Sequence, residues 1–136
     1  MLQFPEGKTL IYTILCVDLD ECYLADIYSD GEIVKLYADT SQVPKKQGQG
    51  GQSQPRYQAN RANEIVHWFK NINEILKQYN REIVLAINWI HYNKFMSYMN
   101  TYNAQKIVKQ ISAEYSGLPG IYDTINRLES TKSKHS

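Results

Sequence analysis

A chain of 136 residues is long enough for one ordinary domain with a core of its own and too short for two of typical size. With 43% hydrophobic and 21% charged residues it has the make-up of a globular protein, which excludes a disordered chain, and no apolar run approaches the roughly 20 residues of a membrane span. The formal net charge of +1 says little as a total, so any electrostatic signal has to lie in how the charges are distributed.

The first residues, MLQFPEGKTL, lack the basic-then-apolar layout of a secretory signal, and the cytoplasm is the expected compartment. Residues 1–136 are read as a single domain, with 1–9 as an N-terminal extension and 131–136 as a tail. Three strands follow the extension. Ile11–Val17 is rich in β-branched and aromatic residues, Tyr23–Tyr28 comes next, and Ile33–Tyr37 completes an antiparallel meander. Asp18–Glu21 makes the first turn. Asp30-Gly31 makes the second, where a type I′ hairpin with positive φ at both central residues is expected. Cys16 and Cys22 form neither a CxxC pair nor a disulfide framework and are read as reduced, half-buried thiols. His67, His91 and His135 have no ligand spacing, so no structural metal and no cofactor is expected.

Between the third strand and the first helix lies VPKKQGQGGQSQPRYQANRA, Val43 to Ala62. No carboxylate occurs from Thr40 through Asn63, whereas Lys45, Lys46, Arg56 and Arg61 all fall there. A solvated surface normally mixes the two signs, so this bias points to a phosphate-rich partner. Gly48, Gly50 and Gly51 let a partner's backbone come close. A helix starts at the foot of this segment, and its unpaired N–H groups and positive dipole end add attraction for phosphate or for a developing oxyanion. Cations on both sides of a glycine-rich tip, next to a helix N-terminus, describe an RNA-directed loop.

The helix is expected from Gln54 to Tyr79, with Ser53 as N-cap and Pro55 in the first turn. Ala62, Ile65, Val66, Phe69, Ile72, Leu76 and Tyr79 recur every three or four residues and form its core-facing stripe. EIVLAIN reads as a central strand covered on both faces, WIHYNKFMSYM as a helix whose aromatic residues are packing residues in preference to base-stacking ones, and KIVKQISAEY as a further strand. SGLPG is a loop into a last helix, IYDTINRLES, and TKSKHS a frayed tail. The order βββαβαβα predicts an α/β fold, a mixed β-sheet with helices packed on it.

The segment Pro44 to Tyr57 fits the pattern Pro-Lys-Lys-x-Gly-x-Gly-Gly-Gln-Ser-x-x-Arg-aromatic. It resembles the Gly-Gly-Gln loop in the middle domain of eukaryotic and archaeal class-I peptide chain release factors, where the loop likewise joins a β meander to a long helix. ISAEYSGLPGIYDTINRLES resembles the last strand and helix of that domain, so the similarity runs from about Thr13 to Ser130. Gln47 and Gln49 stand where the family usually has His and Arg. The resemblance implies a fold of the ribonuclease-H-like, translational-machinery-component type. It also implies translation termination: the loop enters the peptidyl transferase centre of the large ribosomal subunit and promotes attack of water on the peptidyl-tRNA ester. In that role Gly50, Gly51 and Gln52 are the catalytic residues, acting together with rRNA and not as an independent hydrolase. Lys45, Lys46, Gln49, Ser53, Arg56 and Arg61 contact RNA. The Gln52 side-chain amide is a methylation site, which implies a glutamine methyltransferase as partner. The other partners are large-subunit rRNA and the CCA end of peptidyl-tRNA, with a GTPase release factor only if a C-terminal domain accompanies this one.

Three other readings are weighed against it. A stand-alone ribosome-rescue or ribosome-binding module would share the fold without stop-codon recognition. A metal-dependent nuclease of ribonuclease-H-like architecture would use Asp18 or Asp20 for magnesium, but EIVLAIN ends in Asn88 and offers no second carboxylate, and Asp18, Asp20 and Glu21 read as solvated turn residues. The third is a plain α/β domain with a glutamine-rich spacer.

Overall fold

The computed structural model describes residues 8–44 and 54–134, with the side chains of 54–58 and 131–134 left aside. Strands β1 (Leu10–Val17), β2 (Glu21–Tyr28) and β3 (Ile33–Thr40) precede helix α1 (Gln54–Leu76). Then come β4 (Ile83–Ile87), α2 (Trp89–Ser97), the short α3 (Thr101–Ala104), β5 (Ile107–Ile111) and α4 (Gly117–Lys134). One five-stranded sheet in the order β3-β2-β1-β4-β5 carries them. β1 pairs antiparallel with β2, and β2 with β3, while β1–β4 and β4–β5 are parallel. This is the mixed sheet with packed helices that the element order predicts.

Alternation along β1 divides the core between two layers. Leu15 and Val17 face one cluster with Ile65, Trp68, Phe69, Ile72 and Leu76 of α1 and Phe95 of α2. Ile14 and Cys16 face another with Ala25, Val84, Ala86, and Ile121 and Leu128 of α4. All five residues of β4 are buried, as a strand covered on both faces requires. Phe69 and Phe95 meet edge to face, ring centroids 5.2 Å apart, where α1 and α2 share the core.

Several boundaries depart from the sequence expectation. The β2–β3 hairpin is present, but among the described residues only glycines have positive φ, and Asp30 does not. Gly31 N–H donates to the Tyr28 carbonyl at 2.9 Å and Tyr28 N–H to the Glu32 carbonyl at 3.0 Å, which makes a three-residue loop with Gly31 alone left-handed at φ 91°. A type I turn followed by one left-handed residue needs positive φ only there, so the type I′ expectation is wrong. α1 ends at Leu76, earlier than Tyr79, where the chain tightens into i→i+3 bonds: the amides of Lys77, Gln78 and Tyr79 donate to the carbonyls of Glu74, Ile75 and Leu76. Buried Lys106 donates from Nζ to the Leu76 oxygen at 2.6 Å, putting a cation at the negative helix end.

The core stripe of α1 is centred differently as well. Ala62 is exposed and Val66 half-buried, while Trp68, outside the expected stripe, is only 5% exposed. SGLPG is not a loop up to Ile121: α4 begins at Gly117 and runs to Lys134, through four residues read as tail. Pro119 is admissible in the first turn. A Cβ on Gly120 would lie 2.5 Å from both Cys16 Sγ and the Tyr115 oxygen, so this helix start packs onto β1 only with glycine there. The thiols of Cys16 and Cys22 are buried, not half-buried, and burial pushes each up to about 12, so both stay protonated and unreactive. Of the N-terminal extension, Lys8 pairs with Glu32 and the Thr9 carbonyl accepts from Ser29 N–H at 2.8 Å. No helix among the described residues is long and apolar enough to cross a membrane.

In β2, Asp26 is 1% exposed and accepts three hydrogen bonds from Arg81, Nε to Oδ1 at 2.9 Å, Nε to Oδ2 at 3.1 Å and Nη2 to Oδ2 at 2.9 Å. Thr13 Oγ1 donates to Oδ1 at 2.6 Å. Arg81→Ala leaves this carboxylate buried and uncompensated, and is expected to destabilise the domain by about 3 kcal/mol in urea unfolding.

Candidate functional site

The chain enters the glycine-rich segment from Pro44, which lines a cleft with the β1–β2 turn and with His91, beside the carboxyl ends of the parallel strands β1 and β4. In mixed and parallel sheets this end is where ligands gather. The β1–β2 turn is the fixed point. Asp18 Oδ1 accepts from the Asp20 amide at 2.7 Å and the Glu21 amide at 2.8 Å, and Asp18 N–H donates to the Glu21 carbonyl at 3.0 Å. The indole Nε1 of Trp68 donates to the Asp18 carbonyl at 2.8 Å and so locks α1 onto the turn.

The stretch after β3 is tied to the same turn. Ser41 N–H donates to the Asp20 carbonyl at 2.8 Å, Ser41 Oγ donates to the Leu19 carbonyl, and Val43 N–H donates to Ser41 Oγ at 3.3 Å. Val43 is buried in the core cluster under α1. Arg61 Nε donates to the Pro44 carbonyl at 3.0 Å, joining the last described residue before the segment to the second turn of the helix after it. Arg61 is therefore a brace at the root of the segment, with its guanidinium at the surface of a cleft. That cleft, about 350 Å³, is lined by Asp18, Leu19, Asp20, Val43, Pro44, Arg61 and His91.

Of the residues expected to act, Arg61 is the one whose side chain lies among the described residues. Lys45, Lys46, Gln49, Gly50, Gly51, Gln52 and Ser53 lie outside them, and Arg56 is described only as part of the α1 backbone. No acidic residue occupies the first turn of α1, so its own helix leaves the positive end unneutralised. His91, Ser41 and Trp68 were not singled out by sequence reasoning. Only Ser41 carried a signal, lying inside the acid-free stretch.

Asp18 and Asp20, the carboxylates of the nuclease alternative, behave as turn residues. Both Asp18 bonds given above are to backbone amides, and no group of three His, Cys, Asp or Glu side chains converges among the described residues. Glu21 differs from its expected solvated role: it is half-buried and accepts from Ser116 Oγ at 3.1 Å, linking the turn to the start of α4.

His91 shares the cleft and has its proton affinity lowered, first by burial and then by the charges of Arg61 and Lys94, with Asp18 acting in the opposite sense. The unfolded chain thus binds this proton more readily than the native protein. Stability from His91 is complete above the unfolded value near 6.5 and is lost as pH falls below it toward the depressed native value. His91→Gln is expected to reduce the loss of urea stability between pH 7.5 and pH 5 relative to the parent chain. Arg61→Ala, which frees the Pro44 carbonyl, is expected to raise amide hydrogen exchange at Ser41 and Val43 while leaving the protected amides of β1 and β4 slow.

Three comparisons with known proteins bear on this geometry. The family model described as "Actinobacteria/chloroflexi VLRF1 release factor" matches residues 12–86, more than half of the chain, from β1 to β4. Among solved structures, the chain is similar to an archaeal translation termination factor, aRF1. The TM-score is 0.57 with 15% identity over 89% of this chain and 39% of that one. It is similar also to the Pelota protein of Thermoplasma acidophilum, with TM-score 0.53 and 19% identity over 85% of this chain and 31% of that one. The chain thus spans about two fifths and one third of these two proteins, and at such identities the likeness is one of fold. No curated protein matches the sequence significantly.

Proposed function

The chain belongs to the VLRF1 release-factor family, and from that premise we propose that it promotes hydrolysis of the peptidyl-tRNA ester in the large ribosomal subunit, with Gly50-Gly51-Gln52 as the tip that reaches the reacting bond. The observation that carries this reading is the anchorage at one corner of the chain before the segment, through Ser41 and Val43, and of the helix after it, through Arg61 and Trp68. Arg61 lies seven residues into the chain from Gln54, roughly 10 Å along the helix axis. The nine residues from Lys45 to Ser53 have a contour of roughly 30 Å, long enough to carry the tip away from the body.

Ester hydrolysis by such a tip needs no Ser/His/Asp triad, because a placed water and a stabilised developing charge suffice. In this reading the Gln52 N–H donates to the oxyanion or to the departing 3′ oxygen, an interaction of about 3–4 kcal/mol in the barrier. Gly50 and Gly51 allow the backbone to turn that N–H onto its target against the terminal adenosine. The Gln52 side chain admits water and excludes larger nucleophiles, and its amide is the place for methylation by a glutamine methyltransferase. Lys45, Lys46 and Arg56 hold rRNA or tRNA phosphates, with Gln49 and Ser53 as polar contacts, which makes binding salt-dependent. Arg61 is assigned a positioning role beside any contact with RNA. Work on the ribosome places the protein in the cytoplasm. The likeness of Pro44–Tyr57 to the class-I Gly-Gly-Gln pattern supports this finer reading within the family.

Formyl-methionine release from ribosome-bound formyl-methionyl-tRNA tests it. Gly51→Ala is expected to lower hydrolysis by at least about 100-fold with the fold unchanged, and Gln52→Ala by less, since the main-chain donor is kept. Full activity of Gly51→Ala would sink the mechanism. Ribosome rescue uses the same chemistry, and release that is independent of a stop codon in the decoding site would favour rescue over termination.

A further inference from the structure

Among the described residues, the most exposed large apolar side chains are Trp89 at 71% and Ile90 at 60%, adjacent at the start of α2. They directly follow a strand whose residues are all buried. α2 packs through other side chains: Phe95 is in the core, with Tyr92 and Met96 against it. Trp89 and Ile90 therefore do nothing for the core, and the reading of the α2 aromatics as packing residues fails for the largest of them.

The stretch of chain that carries them has charge of one sign. From Ile83 through Ala113 the chain has no Asp or Glu but carries Lys94, Lys106 and Lys109, a second acid-free stretch. Lys94 is exposed and lies one helical turn beyond Ile90, on the same face of α2. Lys70 of α1 is exposed too, and its Nζ stands 5.6 Å from the centroid of the Tyr98 ring, one turn beyond Lys94. The two acid-free stretches meet in the cleft, where His91 stands with Val43, Pro44 and Arg61. Asp18 and Asp20 line the cleft itself, which directs phosphates to the helix surface outside it.

We propose that the outer face of α2 is a second RNA-contact surface, on which Trp89 stacks against an unpaired base of a single-stranded RNA segment while Lys94 and Lys70 meet its phosphates. An apolar patch alone fits a protein partner; a freely presented indole on an acid-free stretch, with exposed Lys94 one turn beyond Ile90, favours a polyanion with exposed π-faces. The proposal rests on the reading of the chain as RNA-directed and adds a site separate from the glycine-rich tip.

The chain has two tryptophans, and Trp68 is buried, so the fluorescence that iodide quenches reports Trp89. Titration of the full chain with a short single-stranded RNA oligonucleotide is expected to quench this emission and to shield it from iodide. Trp89→Ala is expected to weaken binding about 10-fold, whereas Trp89→Phe keeps most of the affinity because a stacking ring remains. Lys94→Ala is expected to weaken binding and flatten its salt dependence. Circular dichroism of each variant is expected to match the parent, since these side chains are exposed. The proposal is overturned if Trp89→Ala binds RNA as tightly as the parent, if iodide still reaches Trp89 in the bound state, or if the chain binds no RNA. Shielding that rises with protein concentration in the absence of RNA overturns it as well and assigns the patch to a second copy of the chain. RNA-dependent quenching of Trp89 in a chain that releases no peptide would leave this surface standing and remove the hydrolysis reading alone.

Discussion

The hydrogen bond from the Trp68 indole to the Asp18 carbonyl is the constraint on which the corner at the root of the glycine-rich segment depends. It crosses from the middle of α1 to the turn that follows β1, and it is made by a buried indole at the edge of the core. With the turn closed on itself by the Asp18 carboxylate, and Ser41 bonded to the turn's carbonyls, the strand that precedes the glycine-rich segment and the helix that follows it share one rigid origin. A chemical role for the segment requires such an origin, because positioning within fractions of an ångström is what separates a catalytic amide from a merely mobile one.

The distribution of charge follows from the same plan. Stabilising carboxylates are placed where they are bonded: Asp26 with Arg81 and Thr13, Asp18 with backbone amides, Glu21 with Ser116. The two long stretches without acids lie on elements that meet at the cleft. A net charge near zero therefore conceals an uneven distribution of charge, which a total over the whole chain cannot reveal.

The fold was legible because its signals are local or periodic. The β-branched and aromatic residues of Ile11–Val17, the Asp30-Gly31 turn, the three-to-four spacing of Ile65, Phe69, Ile72 and Leu76, and the unbroken apolar run of β4 each report their own element. What misled lay at element ends, where the deciding partner is far away in sequence. Lys106 caps the end of α1 and Cys16 packs against the start of α4 at Gly120, whereas at Gly31 the difference is local, a three-residue loop in place of the tighter turn. At the site, the motif from Pro44 to Tyr57 could be read directly, but the braces could not. Trp68 looked like one more apolar residue off the stripe, and nothing in WIHYNKFMSYM distinguishes the exposed Trp89 from the buried Phe95 until the rotation of α2 on the sheet is known.

By itself the sequence determined the element order, the two-layer covering of a mixed sheet, the acid-free glycine-rich segment and its release-factor pattern, since composition, periodicity and a contiguous motif need no knowledge of distant contacts. Only the tertiary structure decided that Arg61 braces Pro44, that His91 joins the same cleft, and that Trp89 faces outward. Those facts depend on which surfaces of α1, α2 and the β1–β2 turn come together, and that is settled by packing across residues scores of positions apart.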